Sequence, residues 1–240
     1  MASAVPDAAT DATPRLRAGA DVRTLGEARR QFWLRPSPKL LVGGIVTIAV
    51  LRGLLGSPDW RDAVAVAAIC AVYPFGEWAI HVYLLHLPPL RVRGRAVELP
   101  TAASHRQHHE RPHDLNMVLL ARFEAGLLLF GALPAVVGAG ALLSSLLGAT
   151  PPTGALVSAW LAGAVLVLAY EWTHFLIHTA HRPRSRHYRA IHRQHRLHHF
   201  KNEHYWHGIT STVGDRAFRT NPDQRDVHRS RTARTLRDDA

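Results

Sequence analysis

The chain has 240 residues, 47% of them hydrophobic, and a formal charge of +11 from 29 Lys and Arg against 18 Asp and Glu. That much Leu, Ala and Val excludes a disordered polycation, and a single cysteine, Cys70, excludes an intrachain disulfide or a cysteine-rich metal site. Seventeen histidines are the unusual number, and any metal site must rest on nitrogen and oxygen ligands.

Residues 1–38 are rich in Ala, Pro, Asp and Arg, lack the apolar core of a secretory signal, and read as a flexible basic N-terminal arm lying at the surface. Segment 40–55 is an apolar run broken only by Arg52, which near a helix end can snorkel to the interface. Segment 63–87 is long enough to cross a bilayer core and turns polar only toward its end, at Glu77, His81 and His86. Segment 125–147 is free of charge and the clearest span, with Pro134 placed to kink it. Segment 153–170 is the fourth, and its helix can continue through Glu171, His174 and His178. The end of the chain alternates charges with few apolar residues, so a disordered charged tail is expected over 221–240.

The expected fold class is therefore all-α, an integral membrane protein with four transmembrane helices and a histidine-rich helical cap, the membrane domain covering 39–220. A soluble bundle of unusually apolar helices is the rival, disfavoured by the length of the runs. A basic chain first suggests nucleic acid, but the distribution points elsewhere. The segment 1–39 carries seven Lys and Arg, 88–116 five, and the chain from 179 onward fourteen, while the other two connections are nearly bare. By the positive-inside rule both termini and the cap lie on the cytoplasmic side, at the plasma membrane if the chain is bacterial. No nucleic-acid partner is expected, and the flanking basic residues suit membrane lipids.

Ten of the histidines fall into four groups: His81 and His86; His105, His108 and His109; His174 and His178; His195, His198 and His199. On the four-span topology all four groups meet at one membrane face. Residues four apart on a helix are neighbours, so His174 and His178 can share a metal, as can His195 with His198 or His199 and His105 with His108 or His109. His81 and His86 lie about 140° apart on an ideal helix, so they either face different metals or sit where the helix unwinds. Ten imidazoles are too many for one ion, and two metals are implied. His192 shares a helical face with His195 and His199 and is a substitute in the last group. Glu77 and Glu171 read either as outer partners that orient imidazoles or as interface carboxylates paired with an arginine.

Two other patterns are weaker. His109, Glu110 and His113 match the zinc-protease pattern H-E-x-x-H, but Pro112 breaks the helical turn that would join the two histidines. Glu171 with His174 and Glu110 with His113 match the E-x-x-H of soluble di-iron bundles, where Pro112 again spoils one copy and two further glutamates are missing.

The order H-x4-H, H-x2-HH, H-x3-H, H-x2-HH resembles the fatty acid hydroxylase superfamily, also called the sterol desaturase family, over residues 60–220. The stretch from Asn202 to Thr220 is similar to the region after the last histidine group in that family, with Gly214-Asp215 and Phe218-Arg219-Thr220 where many relatives have Trp-Asp and Phe-Gly-Thr. The resemblance implies two iron ions, or zinc in their place, held by the ten histidines, with O2 as co-substrate and no catalytic residue separate from the ligands. It implies a lipid substrate, a fatty acyl chain first, with sterol or carotenoid hydroxylation or desaturation as alternatives. The two electrons must come from an external donor, a ferredoxin, cytochrome or reductase, and a basic cytoplasmic face suits an acidic one. The non-enzymatic alternative is a histidine-rich membrane protein that binds or transports metal.

Overall fold

A computed structural model describes residues 15–236. Its main elements are α1 (Leu25–Phe32), α2 (Pro36–Leu54), α3 (Trp60–Ile80), the hairpin β1 (Leu90–Val92) and β2 (Arg95–Val97), α4 (Pro100–Glu110), α5 (Arg122–Leu127), α6 (Leu133–Leu146), α7 (Thr153–Ile177), α8 (Arg186–Phe200) and the short α9 (Val213–Ala217). Four helical stretches, Pro36–Leu54, Trp60–Leu85, Leu115–Leu146 and Thr153–Ile177, are long and apolar enough to cross a membrane.

The spans are organised around α7, against which α2, α3 and α6 pack. The side of α2 that faces inward carries Leu41, Gly44, Ile48 and Arg52, the three-to-four spacing of one helical stripe. On α7 small residues, among them Ala155, Ala159, Gly163 and Ala164, let the neighbours approach closely. By contrast α6 buries no residue, and Leu142, Leu143 and Leu146 point outward, as expected of a helix whose solvent is lipid. Between α5 and α6 the hydrogen-bond ladder opens into a π-helical turn, Leu128–Ala132, directly before Pro134. Proline cannot donate to the preceding turn, and the Leu129 carbonyl is satisfied instead by the Trp160 indole N–H at 2.7 Å.

Arg52 does not snorkel. Its side chain turns inward to Asp62, with Nε at 2.7 Å and Nη2 at 2.6 Å from Oδ1, while Nη1 donates to the Gly56 carbonyl. Ser158 of α7 donates to the same carboxylate oxygen. The end of the bundle remote from the histidines is thus pinned by one polar cluster joining α2, α3 and α7. The reason is that Asp62, capping α3 through Asp59, offers a charge partner that snorkelling would forgo.

The expectation of a surface arm over 1–38 is corrected for residues 15–35; residues 1–14 lie outside the described residues. Thr24 and Glu27 form a capping box that starts α1. Val22, Ala28 and Phe32 are buried with Leu115, Val118 and Phe175, and Phe32 meets Trp172 and Phe175 edge-on. Gly19 is required here, because a Cβ would stand 2.0 Å from the His178 carbonyl oxygen. The tail also differs from the expectation of disorder over 221–240: through residue 236 it is folded against the cap, with Val227 and Ala233 buried. Backbone hydrogen bonds, the Ser230 and Thr232 hydroxyls on Glu203, and the Arg234 guanidinium on the His109 and Glu110 carbonyls hold it, which charge alternation does not reveal. The small hairpin adds strand to a helical chain, its turn supplied by Arg93 and Gly94 at positive φ.

Candidate metal centre

Four helix ends bring the histidines together. At the end of α3 the helix widens into a π turn, His81–Leu85, and the His86 N–H bonds the His81 carbonyl five residues back at 3.2 Å. That turn places the two rings on one side, 5.0 Å between centroids, where a regular helix would separate them. Of the two readings of this pair, different metals or an altered helix, the second describes the structure.

The ten nitrogens form two groups that could each hold a metal ion: His81, His86, His105, His109 and His198, and His108, His174, His178, His195 and His199, with ligand atoms within 4.8 Å of one another in each. All the rings are buried except that of His86, which is half-buried. In both H-x2-HH groups the residues four apart stay together, His105 with His109 and His195 with His199, while His108 and His198 turn to the other group. Neighbouring residues on a helix diverge by about 100°, so a doubled histidine serves two sites at once. The groups are consequently adjacent, with His109 and His199 centroids 4.1 Å apart.

Backbone carbonyls set the tautomers. His81 Nδ1–H donates to the His207 carbonyl at 2.6 Å, His109 Nδ1–H to Ala233 at 2.8 Å, and His198 Nδ1–H to Tyr205 at 2.8 Å. A carbonyl only accepts, so each of these neutral rings carries a bare lone pair on Nε2. Yet Nε2 of His109 and Nε2 of His198 face one another at 3.2 Å, and Nε2 of His195 lies 3.0 Å from those of His178 and His199 and 3.2 Å from that of His174. Two lone pairs do not hydrogen-bond, and one Nε2–H on His195 could satisfy only one of three neighbours. Such separations suit neighbouring donors around a common ion, given metal–nitrogen bonds of about 2.1 Å. The buried Nε2 atoms of His81, His86, His105 and His108 have no partner among the described residues either. This donor set fits a pair of metal ions.

Electrostatics agree. Burial, reinforced by the surrounding imidazoles, holds His86, His105, His108, His178, His195, His198 and His199 well below the ordinary histidine range, and burial brings His109 down to about 4. The rings are therefore neutral at pH 7 and available as ligands.

The two carboxylates bond backbone N–H and hydroxyl groups rather than imidazoles. Glu77 accepts from the Ile209 N–H at 2.6 Å, the Thr210 N–H at 3.0 Å and the Thr210 hydroxyl, and Glu171 from the Leu120 N–H at 2.6 Å and Ser37 Oγ at 2.9 Å. Neither has an imidazole among its hydrogen-bond donors in the described residues. Glu77 instead ties down the loop whose His207 carbonyl receives His81, helped by Asp215, which accepts from the His207 and Gly208 N–H groups. His192 stays outside both groups and lines a groove on the outer side of α8. His113 lies past the end of α4 and stacks on Phe200, so the protease pattern does not assemble. Sequence reasoning missed the carbonyls of Tyr205, His207 and Ala233, which have no side-chain signature. The Gly214 departure has a local cause: a Cβ there would stand 2.7 Å from both the Pro74 oxygen and Trp78 Cβ, and Trp78 stacks on Phe218 at 4.1 Å.

A solved structure described as "Full length scs7p (only hydroxylase domain visible)" shares this fold with a TM-score of 0.62 and 19% identity, covering 83% of this chain and 69% of that one. No curated protein matches the sequence. The sequence profile described as "Fatty acid hydroxylase" matches residues 66–220, which contain all ten clustered histidines, and the chain belongs to that family.

Proposed function

We propose that the protein is an O2-dependent lipid hydroxylase, with a fatty acyl chain as the first substrate class, working through a pair of iron ions at the cytoplasmic membrane face. The observation that carries the reading is the pair of adjacent five-histidine groups, three of the tautomers fixed by backbone carbonyls, at one end of four apolar helices. His81, His86, His105, His109 and His198 would hold one ion and His108, His174, His178, His195 and His199 the other. When bound, the metals supply the redox chemistry that inserts oxygen into an unactivated C–H bond, drawing two electrons from an external donor.

The chain's own residues do the rest. The carbonyls of His207, Ala233 and Tyr205 keep Nδ1 protonated and Nε2 turned inward. Burial of nine of the ten rings keeps bulk water from the centre. The location at the ends of α3 and α7 suits a substrate that lies among the spans, and the concentration of Lys and Arg in the connections on this side supports the cytoplasmic assignment. Mass spectrometry of lipids from cells with and without the protein tests the reaction. A set of lipids heavier by one oxygen, absent with His198→Ala, is expected; an unchanged lipid profile alongside metal uptake would replace the enzyme reading with a transport one.

A further inference from the structure

We propose that the groove between α1, the end of α7 and the start of α8 is a binding site for the headgroup of an anionic phospholipid. The groove encloses about 1420 Å³ and is bordered by Arg23, Arg182, Arg184 and Arg189, with no acidic side chain along its walls among the described residues. None of those four guanidinium groups has a carboxylate partner among the described residues. Glu27, the nearest carboxylate on α1, is engaged by the Arg23 and Thr24 N–H groups and by Arg17.

The local charge is unfavourable without an anion. A helix N-terminus carries partial positive charge and ordinarily attracts Asp or Glu, but the first turn of α8 has no acid and instead holds Arg186 and His187, directly after Arg182 and Arg184. A phosphate in the groove would neutralise both the dipole and the arginines.

Other features make a lipid the occupant. The floor includes Trp172 and Leu176, which belong to the span Thr153–Ile177, so the groove opens at the level where that helix leaves the apolar layer. On α1 and just beyond it, Leu25, Trp33 and Leu34 are exposed, as suits a short helix lying at a membrane surface. A phospholipid can set its phosphate among the arginines while its chains descend past Leu25 and Trp172. The proposal rests on the spans crossing a bilayer and is independent of what the histidines hold.

The test uses the full chain in nanodiscs of phosphatidylcholine with and without phosphatidylglycerol, with retained lipid counted by native mass spectrometry and relative affinity obtained by titration. Arg182→Gln/Arg184→Gln/Arg189→Gln is compared with Arg91→Gln/Arg93→Gln/Arg95→Gln, which removes equal charge from the exposed hairpin, and Arg184→Gln alone serves as a milder variant. The preference for phosphatidylglycerol is expected to fall about fivefold per groove arginine, the effect of one cation at an anionic interface, and to persist in the hairpin variant. Equal loss in both variants, or none in either, would overturn the proposal. So would displacement of the lipid by inorganic phosphate alone, or a groove variant that keeps its lipid but no longer binds an acidic ferredoxin.

Discussion

The folded tail offers a sharp test of how the cluster of His81, His86, His105, His109 and His198 is held. Residues 227–236 form a strap across the cap: the Ser230 N–H bonds the Lys201 carbonyl at 2.8 Å, Glu203 accepts from the Ser230 and Thr232 hydroxyls, and Arg234 donates to the His109 and Glu110 carbonyls. Their combined effect is to present the Ala233 carbonyl to His109 Nδ1. A chain ending at Asp226 leaves that N–H without its acceptor and the ring free to turn or change tautomer. Losing an outer partner of a metal-bound histidine costs roughly 10–100-fold in affinity. His109 belongs to one group only, so the loss should fall on one ion of the pair. Titration of the purified chain with a competing chelator, read by elemental analysis, should show one ion released at a roughly 10–100-fold lower chelator activity and the other nearly unchanged. Glu203→Gln, which weakens the strap's anchor, should show a smaller shift in the same direction. Release curves identical to the full chain's would refute the claim that the strap orients His109.

Three further expectations follow from the same geometry. Burial holds His109 near 4, so the unfolded chain, with an ordinary histidine, binds a proton that the metal-free fold excludes. Stability of the metal-free protein should be full above about pH 6.5 and decline as the pH falls toward 4; a melting temperature that rises on acidification would contradict this. Arg52→Ala strands Asp62 and Ser158 among three spans and should lower the melting temperature far more than Arg61→Ala, whose partner Asp59 is exposed; equal effects would show the inner cluster to be unimportant. Gly19→Ala, with no room beside the His178 carbonyl, should reduce thermal stability and loosen metal held by the cluster that contains His178, whereas Gly26→Ala in open space should not.

Much of this architecture is legible in the sequence because it depends on side chains at regular spacing. The four spans follow from apolar length, and the pairing of His174 with His178 from one helical turn. The choice of His199 over His198 as the partner of His195 is not legible in the sequence, because either spacing fits one face. The π turn at His81 is a backbone adjustment without a residue signature, so the five-residue spacing suggested separation where the fold makes a pair. The folding of the arm and tail is not legible in the sequence, because their anchoring lies in scattered residues such as Val22, Phe32 and Ala233 and in carbonyl groups, none of which forms a periodic pattern. The inward turn of Arg52 is likewise invisible in the sequence, because only the fold brings Asp62 and Ser158 beside it.

The proposed function requires ten imidazoles around two metal ions. Elemental analysis of the purified full-length protein, with His198→Ala and His199→Ala in parallel, tests it most directly. Close to two ions per chain are expected in the unsubstituted protein, with each variant losing metal chiefly from its own group. One ion per chain, or none after purification under metal-replete conditions, would contradict it.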